Sequence, residues 1–124
     1  MAQEQKILII DDDPGIGDMM QLVLQFNGYD IIVSEKPDEA EDIILTHQVD
    51  LIILDMLISG INGTDVCKRL RDNEDPEIAN TPILMMSALH DAVKKCKKAG
   101  ANDFLSKPFE VDDLLLKVKE LLED

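Results

Sequence analysis

Residues Ile7 to Pro14 read ILIIDDDP, four apolar side chains in succession, then three carboxylates and a proline. The run has no alternation of apolar and polar positions, so the strand it forms is covered on both faces, as in a parallel sheet packed between helices. That strand ends where the acids begin. Asp13 followed by Pro14 is a helix start: the carboxylate accepts orphan amides of the first turn, and the proline occupies a position that needs no amide. A buried strand running through an acidic turn into a helix is the first half of a βα unit.

The rest of the chain repeats this pattern. Strands are expected at Lys6 to Ile10, Asp30 to Ser34, Leu51 to Asp55, Pro82 to Ser87 and Asp103 to Lys107, each a short apolar run rich in branched residues. Helical periodicity fills the intervals. Pro14 to Asn27 places Ile16, Met19, Met20 and Val23 on one face and stops at Gly28; Pro37 to His47 aligns Ala40, Ile43, Ile44 and His47. A third helix after Gly63 uses Val66, Cys67 and Leu70, a fourth runs from Asp91 to Ala99 and ends at Gly100, and Glu110 to Leu122 turns Val111, Leu114, Leu115, Val118, Leu121 and Leu122 inward. Strict alternation of strand and helix requires right-handed crossovers, and hence an α/β fold with a doubly wound parallel sheet.

Composition narrows the function. At 124 residues and 45% hydrophobic content the chain suits one compact domain, expected to span residues 1–124, and no linker or repeat is visible. A formal charge of −14 repels phosphate backbones and anionic lipid, which argues against direct nucleic-acid or membrane binding. No run approaches the roughly 18 apolar residues of a membrane span, and the polar start is unlike a signal peptide, so a cytoplasmic location is expected. Cys67 and Cys96 lack paired metal or redox spacing and read as reduced packing residues. Lys94, Lys95, Lys97 and Lys98 form the dense basic run, read as a solvated helix face, with partner docking as the rival reading. His47 and His90 read as ordinary helix-face and loop residues.

In an open parallel sheet the ligand site lies beyond the carboxyl ends of the strands. The polar residues at those ends are Asp11, Asp12 and Asp13 after the first strand, Asp55 after the third, Ser87 after the fourth and Lys107 with Pro108 after the fifth. Carboxylates brought together repel one another unless a cation joins them. Mg²⁺, a hard ion that favours oxygen, suits this set better than a metal needing nitrogen or sulfur. A carboxylate such as Asp55 is also a competent nucleophile toward phosphorus, with Lys107 and Ser87 available to offset charge on transferred oxygens. Asp13 is read as a helix cap rather than a ligand. No glycine-rich loop follows the first strand, so a bound nucleotide is not the expected phosphoryl donor.

The segments ILIIDDDP (Ile7 to Pro14), DLIILDMLISGING (Asp50 to Gly63), PILMMSA (Pro82 to Ala88) and AGANDFLSKPF (Ala99 to Phe109) together resemble the receiver domain of two-component response regulators over essentially the whole chain. The resemblance implies a flavodoxin-like (βα)5 fold with strand order 2-1-3-4-5. It also implies that Asp55 accepts a phosphoryl group from a phosphohistidine on a sensor histidine kinase or phosphotransfer protein. Asp12, Asp55 and the backbone carbonyl of Leu57 would bind Mg²⁺ directly and Asp11 mainly through water, while Ser87 and Lys107 hold phosphoryl oxygens and the small Ala88 keeps the approach open. By the same resemblance Ser87 and Phe104 form a switch, and the face of the fourth helix, fifth strand and fifth helix meets a downstream output protein. The Lys107 to Pro108 bond is expected to be cis, and the protein to be a monomer or a phosphorylation-dependent dimer.

Two departures stand out from the family pattern. Ser59 stands where many receivers have proline, which implies a less rigid loop between Met56 and Gly63. Leu57 and Leu89, each two residues beyond a site residue, are apolar and imply slow self-dephosphorylation. The alternatives are a receiver cut from a longer regulator or hybrid kinase, and a Mg²⁺-dependent phosphohydrolase with an aspartate nucleophile. The second is disfavoured by Leu57, where such enzymes commonly carry another acid.

Overall fold

The structure, a computed structural model, describes residues 4–89 and 92–123. Its elements run β1 Lys6–Ile10, α1 Pro14–Phe26, β2 Asp30–Ser34, a 3₁₀ turn Pro37–Glu39, α2 Ala40–His47, β3 Leu51–Asp55, β4 Leu57–Ile58, β5 Ile61–Asn62, α3 Gly63–Arg71, α4 Pro76–Ala79, β6 Ile83–Ser87, α5 Ala92–Ala99, β7 Asp103–Ser106 and α6 Val111–Leu122. The main sheet is parallel throughout, in the order β2-β1-β3-β6-β7. With the small β4–β5 hairpin set aside, this is the 2-1-3-4-5 arrangement of the flavodoxin-like fold.

Strand alternation divides the apolar residues into two cores. Leu8, Ile10, Ile52, Leu54, Ile83 and Met85 point to the side of α2, α3 and α5, where they meet Ile44, Val66, Cys67, Leu70 and Cys96. Ile7, Ile9, Leu51, Ile53, Leu84 and Met86 point the other way, against Met20 and Leu24 of α1 and Leu114 and Val118 of α6. Period 2 along a strand produces this division, and it explains why the central strands β1, β3 and β6 carry no polar face. Both cysteines are free and buried, as their reading as packing residues requires. Burial raises both thiol pKa values, that of Cys67 to about 11.

Several expected helix details are corrected. In α1 the buried residues are Gly17, Met20 and Leu24, while Ile16, Met19 and Val23 flank them half-buried. The second helix begins as a 3₁₀ turn, and His47, expected on its inner face, is exposed. Val111 is exposed at the first turn of α6, where Leu114 and Val118 carry the burial. The strand expected to reach Lys107 ends at Ser106. His90 and the expected start of the fourth helix at Asp91 lie outside the described residues. No helix among the described residues is long and apolar enough to cross a membrane.

Candidate functional site

Strand register brings the site together. Ile10 pairs with Leu54, so the residues that follow, Asp11 and Asp55, emerge side by side; Asp55 pairs with Met86, and Ser87 pairs with Ser106. Asp11, Asp55, Ser87 and Lys107 therefore project from the ends of four adjacent strands. Carboxylate oxygens of Asp11, Asp12 and Asp55 all lie within 4.8 Å of one another.

Asp11 is almost fully buried. Its Oδ1 accepts the Asp13 amide at 2.9 Å, whereas its Oδ2 is buried with no hydrogen-bond partner, and Lys107 Nζ stands 3.8 Å from it. Burial pushes the Asp11 carboxyl pKa upward; the Asp13 amide opposes this, and the charge of Asp55 adds to it. Asp55 Oδ1 accepts the Met56 amide at 2.9 Å and pairs with Lys107 Nζ at 3.1 Å. Two of the three acids, Asp11 and Asp55, thus share one ammonium, and the Asp11 oxygen nearer to it has no hydrogen-bond donor. An all-oxygen donor set with surplus negative charge and an unsatisfied buried acceptor fits a hard divalent cation such as Mg²⁺.

The remaining expected residues fall around this cluster. Ser87 Oγ accepts the Leu89 amide at 3.0 Å, which leaves its own proton free to donate, and the Ser87 carbonyl accepts the Lys107 amide at 2.8 Å. An open cleft of about 620 Å³ is lined by Asp55, Leu57, Ser87, Ala88, Leu89 and Lys107 among others. The Lys107–Pro108 peptide bond is cis. Phe104 is buried in the core that also holds Ala92 and Cys96 of α5. Asp13 caps α1, its Oδ1 accepting the amides of Gly15 and Ile16 at 3.0 and 3.4 Å, so it is spent on the helix.

Two features were not read from the sequence. Gly63 opens α3 against the site: a Cβ there would collide with the Asp55 carbonyl oxygen and lie 2.9 Å from Met56 Cα, so only glycine lets the helix start so close to Asp55. Ser59, noticed only as a replacement for proline, donates its amide and hydroxyl to Asp12 Oδ2 at 2.7 and 3.1 Å. The dipeptide Ser59–Gly60, flanked by Ile58 and Ile61, was the available signal, since Ser-Gly marks turns.

Comparison with known proteins agrees with this geometry. A model of the response regulator receiver domain matches residues 7–119. The DNA-binding dual master transcriptional regulator RpaA of Synechocystis is 39% identical over 119 residues, covering 94% of this chain and 48% of that protein. The chain therefore spans about half the length of the curated relatives it matches. A crystal structure from Chloroflexus aurantiacus, itself assigned as a response regulator, superposes with a TM-score of 0.88 at 38% identity, over 97% of this chain and 98% of that one. The chemotaxis response regulator CheY4 of Vibrio cholerae superposes with a TM-score of 0.86 at 29% identity, over 97% and 100% of the two chains. In sequence, strand order and the placing of its acidic strand ends, this chain belongs to the response regulator receiver family.

Proposed function

We infer that residues 1–124 act as a single receiver domain, a phosphorylation-dependent switch in which Asp55 takes a phosphoryl group from a phosphohistidine of a sensor histidine kinase or phosphotransfer protein. The observation that carries this reading is the pairing of Asp55 Oδ1 with Lys107 Nζ at 3.1 Å beside the unpartnered buried oxygen of Asp11. Asp11, Asp12, Asp55 and the backbone carbonyl of Leu57 are the groups that would hold Mg²⁺, with Asp11 acting mainly through water. The ion, when bound, supplies positive charge against the phosphoryl oxygens.

The chain's own groups do the rest. A carboxylate oxygen of Asp55 forms the new O–P bond as the donor's P–N bond breaks; the electron pair stays on the imidazole nitrogen, which then takes up a proton. Lys107 and the Met56 amide hold the Asp55 carboxylate in one orientation before the donor arrives, and such preorganisation is the main contribution a protein makes to phosphoryl transfer. Lys107 then offsets charge on a transferred oxygen, and Ser87 donates its free hydroxyl proton to another.

Movement of Ser87 toward the phosphoryl group draws on the loop it shares with Leu89, next to α5. Phe104, packed beneath α5, is placed to follow that movement, so the output partner would meet the face formed by α5, β7 and α6. The charge of −14 supports partners that are proteins rather than nucleic acid or membrane.

Treatment with a small phosphodonor and Mg²⁺, read by intact mass, tests this. Wild type should gain one phosphoryl group only with Mg²⁺ present, and Asp55→Asn should gain none. An adduct that persists in Asp55→Asn, or forms equally in chelator, overturns the assignment.

A further inference from the structure

We propose that Ser59 is a positioning residue that preforms the cation site by fixing the carboxylate of Asp12. The proposal rests on the Mg²⁺ reading above and concerns a residue that reading does not use. β4 and β5 pair antiparallel, Leu57 with Asn62 and Ile58 with Ile61, leaving Ser59 and Gly60 as a two-residue turn. Both have positive φ, 50° and 81°, the pattern of a type I′ hairpin turn. Asparagine and glycine are the usual occupants of such a turn, and serine pays a steric penalty there. This conformation aims the amide and hydroxyl of Ser59 at the same oxygen, Asp12 Oδ2, at 2.7 and 3.1 Å.

Two donors on one oxygen hold the carboxylate against rotation. Asp12 is otherwise free to turn: it is only half-buried, and no other side chain among the described residues bonds it. The latch keeps it within 4.8 Å of Asp11 and Asp55, ready for an ion to bridge them. Proline, common at this place in the family pattern, supplies neither donor and cannot adopt φ near +50°. With serine at this position the turn is tied directly to Asp12.

The test is Mg²⁺ affinity by calorimetry, without phosphodonor, together with thermal stability in chelator. Ser59→Gly keeps the amide, suits positive φ and removes only the hydroxyl. It should bind Mg²⁺ about five- to tenfold more weakly, near the lower edge of the effect of outer-shell partners because the pair is exposed. Its ion-free melting temperature should match or exceed wild type, because glycine relieves the turn. A purely structural role would move stability and affinity together. Wild-type affinity retained in Ser59→Gly overturns the proposal alone. Absence of Mg²⁺ binding by wild type overturns both the proposal and the cation-site reading beneath it.

Discussion

Leu57 and Leu89 flank Asp55 at the mouth of the cleft with 64% and 56% of their surfaces exposed. Neither adds much to the core, so replacing them should disturb stability little. Hydrolysis of an acyl phosphate needs a water aligned behind phosphorus, and polar side chains here would bind and orient that water where leucines do not. Leu57→Asn combined with Leu89→Glu should therefore speed loss of the phosphoryl group about tenfold, on the order of 1.4 kcal/mol in the barrier. The decay is followed by intact mass after the donor is removed, and an unchanged rate would sink the idea. At this scale Asp11, Asp12, Asp55, Ser87 and Lys107 were legible because strand ends can be counted from apolar runs. The Ser59 latch was not, because it joins residues 47 positions apart through a turn conformation that no local pattern specifies.

Among elements, the five strands of the main sheet were legible to within a residue because each holds a short apolar run, and the central strands β1, β3 and β6, buried on both faces, have little alternative. The β4–β5 hairpin and the single turn α4 escaped because two-residue strands and a four-residue helix carry no measurable period. Arg71 was equally silent in the sequence, yet it ties four segments together. Its guanidinium donates from Nε to the Gly100 carbonyl at 2.8 Å and from Nη1 to the Ala79 and Thr81 carbonyls at 2.9 and 2.7 Å. Nη2 reaches Asn102 Oδ1 at 2.6 Å. That Asn102 oxygen also accepts the Ile83 amide that starts β6. Gly100, with φ of 107°, ends α5 where a Cβ would lie 2.6 Å from Arg71 Cγ. Arg71→Met keeps much of the aliphatic stem but strips the carbonyls of Gly100, Ala79 and Thr81 of the guanidinium donor and leaves Asn102 Oδ1 with the Ile83 amide alone, and should cost about 3 kcal/mol in urea unfolding. A loss below about 1 kcal/mol would show that water replaces the clamp.

For the molecule as a whole, the sheet gains its two dry cores by sending every site residue to one edge, and the charge gathered there opposes folding. Asp11 brings a carboxylate into the interior with one oxygen unpaired, so the folded chain holds the Asp11 proton more tightly than the unfolded chain does. The sign follows from linkage: an acid whose folded pKa is raised makes the fold most stable below its unfolded value. Stability is then lost as pH rises from the ordinary 3.8 through the folded pKa, and the loss is constant above it. Asp11→Asn removes this component and should make the ion-free protein about 1–2 kcal/mol more stable at neutral pH, as expected for relieving a buried unsatisfied acceptor. Mg²⁺ should act unequally on the two proteins. Wild type should gain about 2.7 kcal/mol at one hundred times the dissociation constant, a rise of roughly 10 °C in Tm for a chain of this size, whereas Asp11→Asn gains distinctly less. Sodium chloride at matched ionic strength controls for general screening of the −14 charge. Equal rises with sodium and magnesium, or an Asp11→Asn variant less stable than wild type in chelator, would show that the strand-end acids are not held in tension by their own repulsion.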